Sequence, residues 1–160
     1  MRATVGTPRL VRSFVQHIRA SPDNVFPLLC PEREKEWLPG WDARMLYSAS
    51  GLAELGAVFE TRHERGTTMW LVTDYAPPRR VCFARWQPDG LMVQIEITLG
   101  RRHDGSTAVC VCYTYTAISE DGAATLAAMR ESQWLDTMAF WEGSMNEWLA
   151  KQPAPNVTAR

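Results

Sequence analysis

SEDGAATLAAMRESQWLDTMAFWEGSMNEWLAK, residues 119–151, carries Ala127, Trp134, Met138, Trp141, Met145 and Trp148 at steps of three, four and seven. At about 100° per residue these six side chains fall within an arc of about 80°, so the segment reads as one helix with a single aromatic and thioether face. Ser119 is placed to cap it, Glu120 and Asp121 suit its first turn, and Pro153 stops it beyond about Lys151.

Upstream the period changes from 3.6 to 2. The segments WDARMLYS (41–48), AVFETRH (57–63), TMWLVTDY (68–75), RVCFARW (80–86), LMVQIEITL (91–99) and STAVCVCYTYTA (106–117) alternate or are rich in β-branched and aromatic residues. Turn chemistry separates them at Ser50-Gly51, Arg65-Gly66, Pro77-Pro78, Pro88-Asp89-Gly90 and Asp104-Gly105. Such short links dictate antiparallel pairing. A further strand, LVRSFVQHIR (10–19), precedes them and brings the number to seven.

Between the first strand and the other six lies ASPDNVFPLLCPEREKEWLPGW (20–41). Ser21-Pro22-Asp23 opens a helix with proline at its first position. Pro27 and Pro31 divide the segment into two short helices, and Pro39-Gly40 end the second. Cys30, Glu34 and Trp37 share a face of that second helix. Trp37 and Trp41 form an apolar corner that reads either as a lid over a cavity or as a plug of core.

The chain is long enough at 160 residues for one domain with a substantial core. We expect a tail at 1–8, the domain at 9–151 and a disordered tail at 152–160. Seven tryptophans supply more aromatic area than a core of this size requires, since each buries about 150–250 Å². A net charge of −1 argues against nucleic acid and anionic membranes as partners. No run of about 18 apolar residues predicts integral membrane contact, and MRATVGTPRLVRSF lacks a stretch of signal-peptide length, so a cytoplasmic location is expected. Cys30, Cys82, Cys110 and Cys112 are then free thiols. Cys110 and Cys112 share one strand face with no histidine close in sequence, which is no common zinc module, and no metal or other cofactor is expected.

The order of strand, two short helices, six-strand meander and long C-terminal helix resembles the helix-grip superfamily often called SRPBCC, which includes START lipid-transfer domains, birch-pollen-allergen-like proteins and bacterial polyketide cyclases. The resemblance covers about residues 9–151. Residues 20–41, together with LVTDYAPPRRVCFARW (71–86) and CYTYTAISEDG (112–122), are similar to a small, largely uncharacterised bacterial branch of that superfamily. The resemblance implies an α+β fold in which a seven-stranded antiparallel sheet wraps the C-terminal helix, with a ligand cavity between them. It also implies that the two short helices sit at one end of the grip, where Trp37 and Trp41 line the entrance or fill the space.

No catalytic signature is present: there is no phosphate-binding glycine loop, no G-x-S-x-G and no H-E-x-x-H. His63 shares a strand face with Phe59 and Thr61, which makes it a candidate acid or base at the cavity rim or else a solvated rim residue. Tyr113 and Tyr115 share the inner face of their strand with Val109 and Val111, and their hydroxyls need partners. Glu34 beside Trp37 is a carboxyl with a raised pKa if buried, or part of the solvated run EREKE if not. Arg130 lies at the edge of the helix stripe, where it holds a ligand carboxylate or reaches outward to solvent. The expected cavity set is therefore Trp37, Trp41, Phe59, His63, Tyr113, Tyr115, Arg130, Trp134, Met138, Trp141 and Met145, with His63, Glu34 and Tyr113 as the catalytic candidates. Gly143, on the opposite side of the helix from Trp134, leaves room for a close external contact such as a homodimer.

These features predict a binding or carrier protein for a hydrophobic small molecule that is lipid-like, aromatic or polyketide-like. The alternatives are a polyketide cyclase or dehydratase-like enzyme with acid–base residues in the cavity, and a co-chaperone-like interaction module that uses the outer sheet face. That face reads as mixed, as in Gln94, Glu96 and Thr98.

Overall fold

The computed structural model describes residues 6–153. The expected tails at 1–8 and 152–160 therefore fall largely outside the described residues. Pro8 already belongs to the domain, since its carbonyl accepts a hydrogen bond from the Ala117 amide at 3.0 Å.

The seven strands are β1 (Arg9–Ile18), β2 (Ala43–Tyr47), β3 (Val58–His63), β4 (Gly66–Ala76), β5 (Arg80–Gln87), β6 (Leu91–Arg101) and β7 (Thr107–Ala117). They form one sheet in the order β1-β7-β6-β5-β4-β3-β2, and every neighbouring pair is antiparallel. The period of two in β7 is complete: its odd-numbered residues are buried and its even-numbered ones half-buried. Register then lines up inward-facing rows across the sheet. One row runs Leu10, Tyr115, Val93, Arg85, Trp70 and Phe59, and the next runs Arg12, Tyr113, Ile95, Phe83 and Val72.

The helices are α1 (Pro22–Val25), α2 (Pro31–Trp37), α3 (Glu120–Ala128) and α4 (Glu131–Ala150), with a 3₁₀ turn over Phe26–Leu29. Proline starts both short helices as expected, but the Ser21 hydroxyl makes no capping bond; only its carbonyl engages the helix.

The long C-terminal helix is two helices. Met129 and Arg130 are extended between α3 and α4, although neither is a helix breaker. The cause is tertiary, because each helix is tied to a different part of the sheet. At α3, Ser119 caps the Gly122 amide at 3.0 Å, and Gly122 passes so close to the β5–β6 turn that a Cβ there would stand 1.9 Å from the Gly90 carbonyl oxygen. At α4, the anchor is the open edge of β1. The Asn146 side chain accepts from the Arg19 amide at 2.8 Å and donates to the His17 carbonyl at 2.9 Å, pairing with the edge as a neighbouring strand would. Glu142 accepts from the His17 amide at 2.7 Å, and Gln16 donates to the Met138 carbonyl at 3.1 Å.

The α4 stripe faces the sheet. Met138 and Met145 are buried, and Trp134, Trp141 and Trp148 are partly buried, while Ala127 on α3 is exposed. The outer sheet face is more apolar than the sequence suggests, since Leu71, Trp86 and Met92 remain 42%, 44% and 39% exposed on it. No helix among the described residues is long and apolar enough to cross a membrane.

Candidate functional site

The inner sheet face divides into a filled half and an open half. In the filled half, over β3–β5, Phe59 stacks on Trp70 with ring centroids 5.2 Å apart, and Phe83 meets both rings edge-on at 6.1 Å. Trp41 completes the cluster edge-on to Trp70 at 5.8 Å and donates its indole N–H to the Pro31 carbonyl at 3.0 Å. Trp37 is buried beside it and donates to the Leu28 carbonyl at 2.8 Å. The corner at 37–41 is thus filled core, packed ring against ring with its indole N–H groups satisfied.

The open half lies between β7, the inner side of β1 and the start of α4. A cavity of about 340 Å³ remains there, within the range of small-molecule sites. Tyr113 and Tyr115 form its floor; Met129, Trp134, Met138 and Trp141 form its apolar wall; Arg12, Arg85 and Arg130 border it, with Gln133 and Thr137 at the rim.

Of the residues expected at a cavity, Tyr113, Tyr115, Arg130, Trp134, Met138 and Trp141 come together here. Phe59 and Met145 are packed in the core, and Trp37 and Trp41 belong to the filled half. His63 stands apart. It is exposed at the end of β3, contacts the Thr61 hydroxyl at 3.2 Å, and borders an open, polar surface groove with Arg62, Glu64 and Arg65.

Arg12, Arg85, Met129, Gln133 and Thr137 are cavity residues that the sequence reading passed over. Arg85 had a visible signal: in RVCFARW it occupies the same alternating face as Val81 and Phe83. Met129 faces the cavity only because the helix breaks at that residue, and nothing local in the sequence announces the break.

The electrostatics of this half are unusual. The Arg85 guanidinium carbon sits 4.9 Å from the Trp70 ring centroid and 5.3 Å from that of Tyr113, a double cation–π contact. Its Nε is buried without a hydrogen-bond partner among the described residues. Burial pushes the Tyr113 phenol well above its ordinary range, with Arg85 offsetting part of the shift. Tyr115 is likewise raised by burial and eased by Arg85 and Arg12. Glu34 on α2 is half-buried rather than part of a solvated face, and burial pushes its carboxyl up to about 8. When ionised it pushes the Tyr113 phenol up further, the smallest of the effects on that group.

Among the described residues no group of three or more His, Cys, Asp and Glu side chains is placed to hold a metal, and all four cysteines are free. Cys110 and Cys112 face outward and half-buried on β7, and burial raises the Cys112 thiol.

No family model matches the chain, and no curated protein matches its sequence. Its fold, however, is found in solved structures. An uncharacterized protein from Rhizobium leguminosarum superposes with a TM-score of 0.67 at 12% identity, covering 92% of this chain and 98% of that one. Truncated norcoclaurine synthase from Thalictrum flavum gives 0.69 at 11% identity, covering 95% and 100%. The protein Ara h 8.0201 gives 0.65 at 10% identity, covering 90% and 100%. The chain therefore has the helix-grip fold. At these identities the likeness defines the fold and leaves the chemistry to the site itself.

Proposed function

We propose that this protein binds or carries a hydrophobic small molecule, lipid-like, aromatic or polyketide-like, in the cavity between β7 and the start of α4. The observation that carries the reading is the apolar wall of Met129, Trp134, Met138 and Trp141 left facing about 340 Å³ of space, when the chain has enough aromatic side chains to fill the other half of the same face. Membership of the SRPBCC superfamily and a cytoplasmic location are consistent with this role and belong to the same proposal. Native mass spectrometry of the protein as purified is the first test. An apolar compound retained at one-to-one stoichiometry is expected, and it should be lost in a Thr137→Trp variant that fills the cavity mouth. A compound retained equally by that variant would place binding elsewhere and refute the assignment.

A second reading draws on Glu34. Glu34 is not itself among the residues lining the cavity, but it acts on Tyr113, which is, so this carboxyl would serve a cyclase or dehydratase by tuning the Tyr113 phenol as proton donor to a bound carbonyl. Under this reading Glu34→Gln abolishes turnover of a polyketide-like substrate while leaving its affinity unchanged. His63, outside the cavity, takes no part, and His63→Gln changes neither quantity.

A further inference from the structure

The cavity combines an apolar wall with a cationic border that the protein leaves unpaired. Arg12 comes from β1, Arg85 from β5 and Arg130 from the break between α3 and α4, so three separate elements deliver a guanidinium to one space, and among the described residues no acidic one lines it. Five arginines find carboxylates, Arg33 with Glu36, Arg44 and Arg62 with Glu60, Arg80 with Asp74 and Glu96, and Arg101 with Asp23, while Arg9, Arg19, Arg65, Arg79 and Arg102 lie outside this cavity without an ion pair among the described residues. Arg12, Arg85 and Arg130 make no ion pair among the described residues.

Arg85 is the most telling of the three. It projects from the inward row of β5, where hydrophobic side chains otherwise stand, and its cation is supported by the faces of Trp70 and Tyr113. Those rings stabilise the charge but offer no acceptor to Nε, which is buried and unpartnered. A buried donor without an acceptor is costly, and the cost is larger for a charged group. An oxyanion is the natural complement of a guanidinium, through short charge-assisted and often bidentate hydrogen bonds. Glu34 does not supply it, since it makes no ion pair with Arg85 and does not line the cavity.

Building on the cavity-binding reading above, we propose that the ligand is an amphipathic anion: a flat, apolar, preferably aromatic body bearing one carboxylate or comparable oxyanion. The body lies against Trp134 and Trp141, and the anion is bound by Arg85, with Arg12 and Arg130 contributing. Flatness follows from the walls, since Trp134 and Tyr113 meet edge-on at 4.8 Å and the indoles present faces and edges suited to another ring.

Two dyes with nearly the same body separate the parts of this proposal: 8-anilinonaphthalene-1-sulfonate, which is anionic, and N-phenyl-1-naphthylamine, which is neutral. Fluorescence titration of the wild-type protein should show the sulfonate binding at least tenfold more tightly. Arg85→Gln should erase that preference, weakening the sulfonate about tenfold or more and the neutral dye less than twofold. Arg130→Gln, at an exposed position whose replacement leaves the core untouched, should weaken the sulfonate alone by severalfold. Thr137→Trp should abolish both. Equal affinities in the wild type, or a preference that survives both arginine substitutions, would overturn the anion proposal and leave the cavity reading standing. If neither dye binds, or both still bind with the cavity filled by Thr137→Trp, the cavity reading falls and takes this one with it.

Discussion

On the β3–β5 half of the inner sheet face, Trp37, Trp41 and Trp70 donate their indole N–H groups to Leu28, Pro31 and Thr61 at 2.8, 3.0 and 2.9 Å, and the Trp70 ring packs with Trp41, Phe59 and Phe83. On the β1–β7 half, Trp134 reaches the Ser13 carbonyl only at 3.5 Å, and the space beside it stays open under Arg85, Tyr113 and Tyr115. Each satisfied indole finds its acceptor within ten residues of chain, so that half completes its polar contacts locally and closes. The Trp134 indole finds its acceptor only 121 residues away in the chain, at a helix held along the β1 edge by Asn146 and Glu142. A helix anchored along that edge bridges the concave face without filling it. Aromatic side chains are therefore core or cavity wall according to whether the chain near them supplies an acceptor, from backbone or side chain, and a closing element.

The contrast is broken most severely by truncation in the filled half. Trp70→Ala removes a buried ring that contacts Phe59, Phe83 and Trp41, and should cost about 3–5 kcal/mol in chemical denaturation. A cost below about 1 kcal/mol would mean that this half is not close-packed.

Gly122→Ala should come next. Its Cβ would stand 1.9 Å from the Gly90 carbonyl oxygen, which is backbone and cannot yield cheaply, so α3 must lift from the β5–β6 turn at a cost of about 1–3 kcal/mol. Because Met129 and Arg130 immediately follow α3, the cavity should loosen as well, seen as weaker dye binding.

A third effect depends on pH. Glu34 has its folded-state pKa raised to about 8, above its unfolded value, so the folded protein holds the extra proton between roughly pH 4.5 and pH 8. Stability from this group is full below the unfolded pKa and declines as pH rises through that window, by at most about 1.4 kcal/mol per pH unit. Glu34→Gln should flatten that part of the profile and be the more stable form at pH 8. Matching slopes for the two proteins would show Glu34 to be solvated.

The arrangement of strands and helices was legible because it is written in local periods. The alternation in TAVCVCYTYTA and the prolines at 22, 31 and 39 place elements to within about two residues, and turn residues fix the meander. The cavity was legible only where a periodic face belongs to it, as for Tyr113, Tyr115, Trp134, Met138 and Trp141. What escaped is tertiary: the break at 129–130 arises from two competing anchors, Asn146 acts as a strand edge, and Glu34 turns inward from a run of charges that looks solvated. Arg85 was obscured by an ordinary prior, since an arginine in a strand is usually read as outward.

The smallest expected effect lies on the far side of α4. Gly143 is exposed in the helix interior and a Cβ there meets nothing within 4 Å, so Gly143→Ala should add about 0.5–1 kcal/mol of stability and leave the cavity unchanged. A loss of stability that grows on dilution would instead reveal that this face packs against a second copy of the chain.

The difference between the halves is tested most directly by the rise in melting temperature that a saturating neutral dye, N-phenyl-1-naphthylamine, produces in Trp141→Ala. Trp141 is a partly buried wall residue, so its removal should cost under about 2 kcal/mol by itself while eliminating most of the dye-induced rise seen in the wild type. A variant destabilised by about 3–5 kcal/mol that still shows the full rise would mean that Trp141 is filled core and that the cavity assignment is wrong.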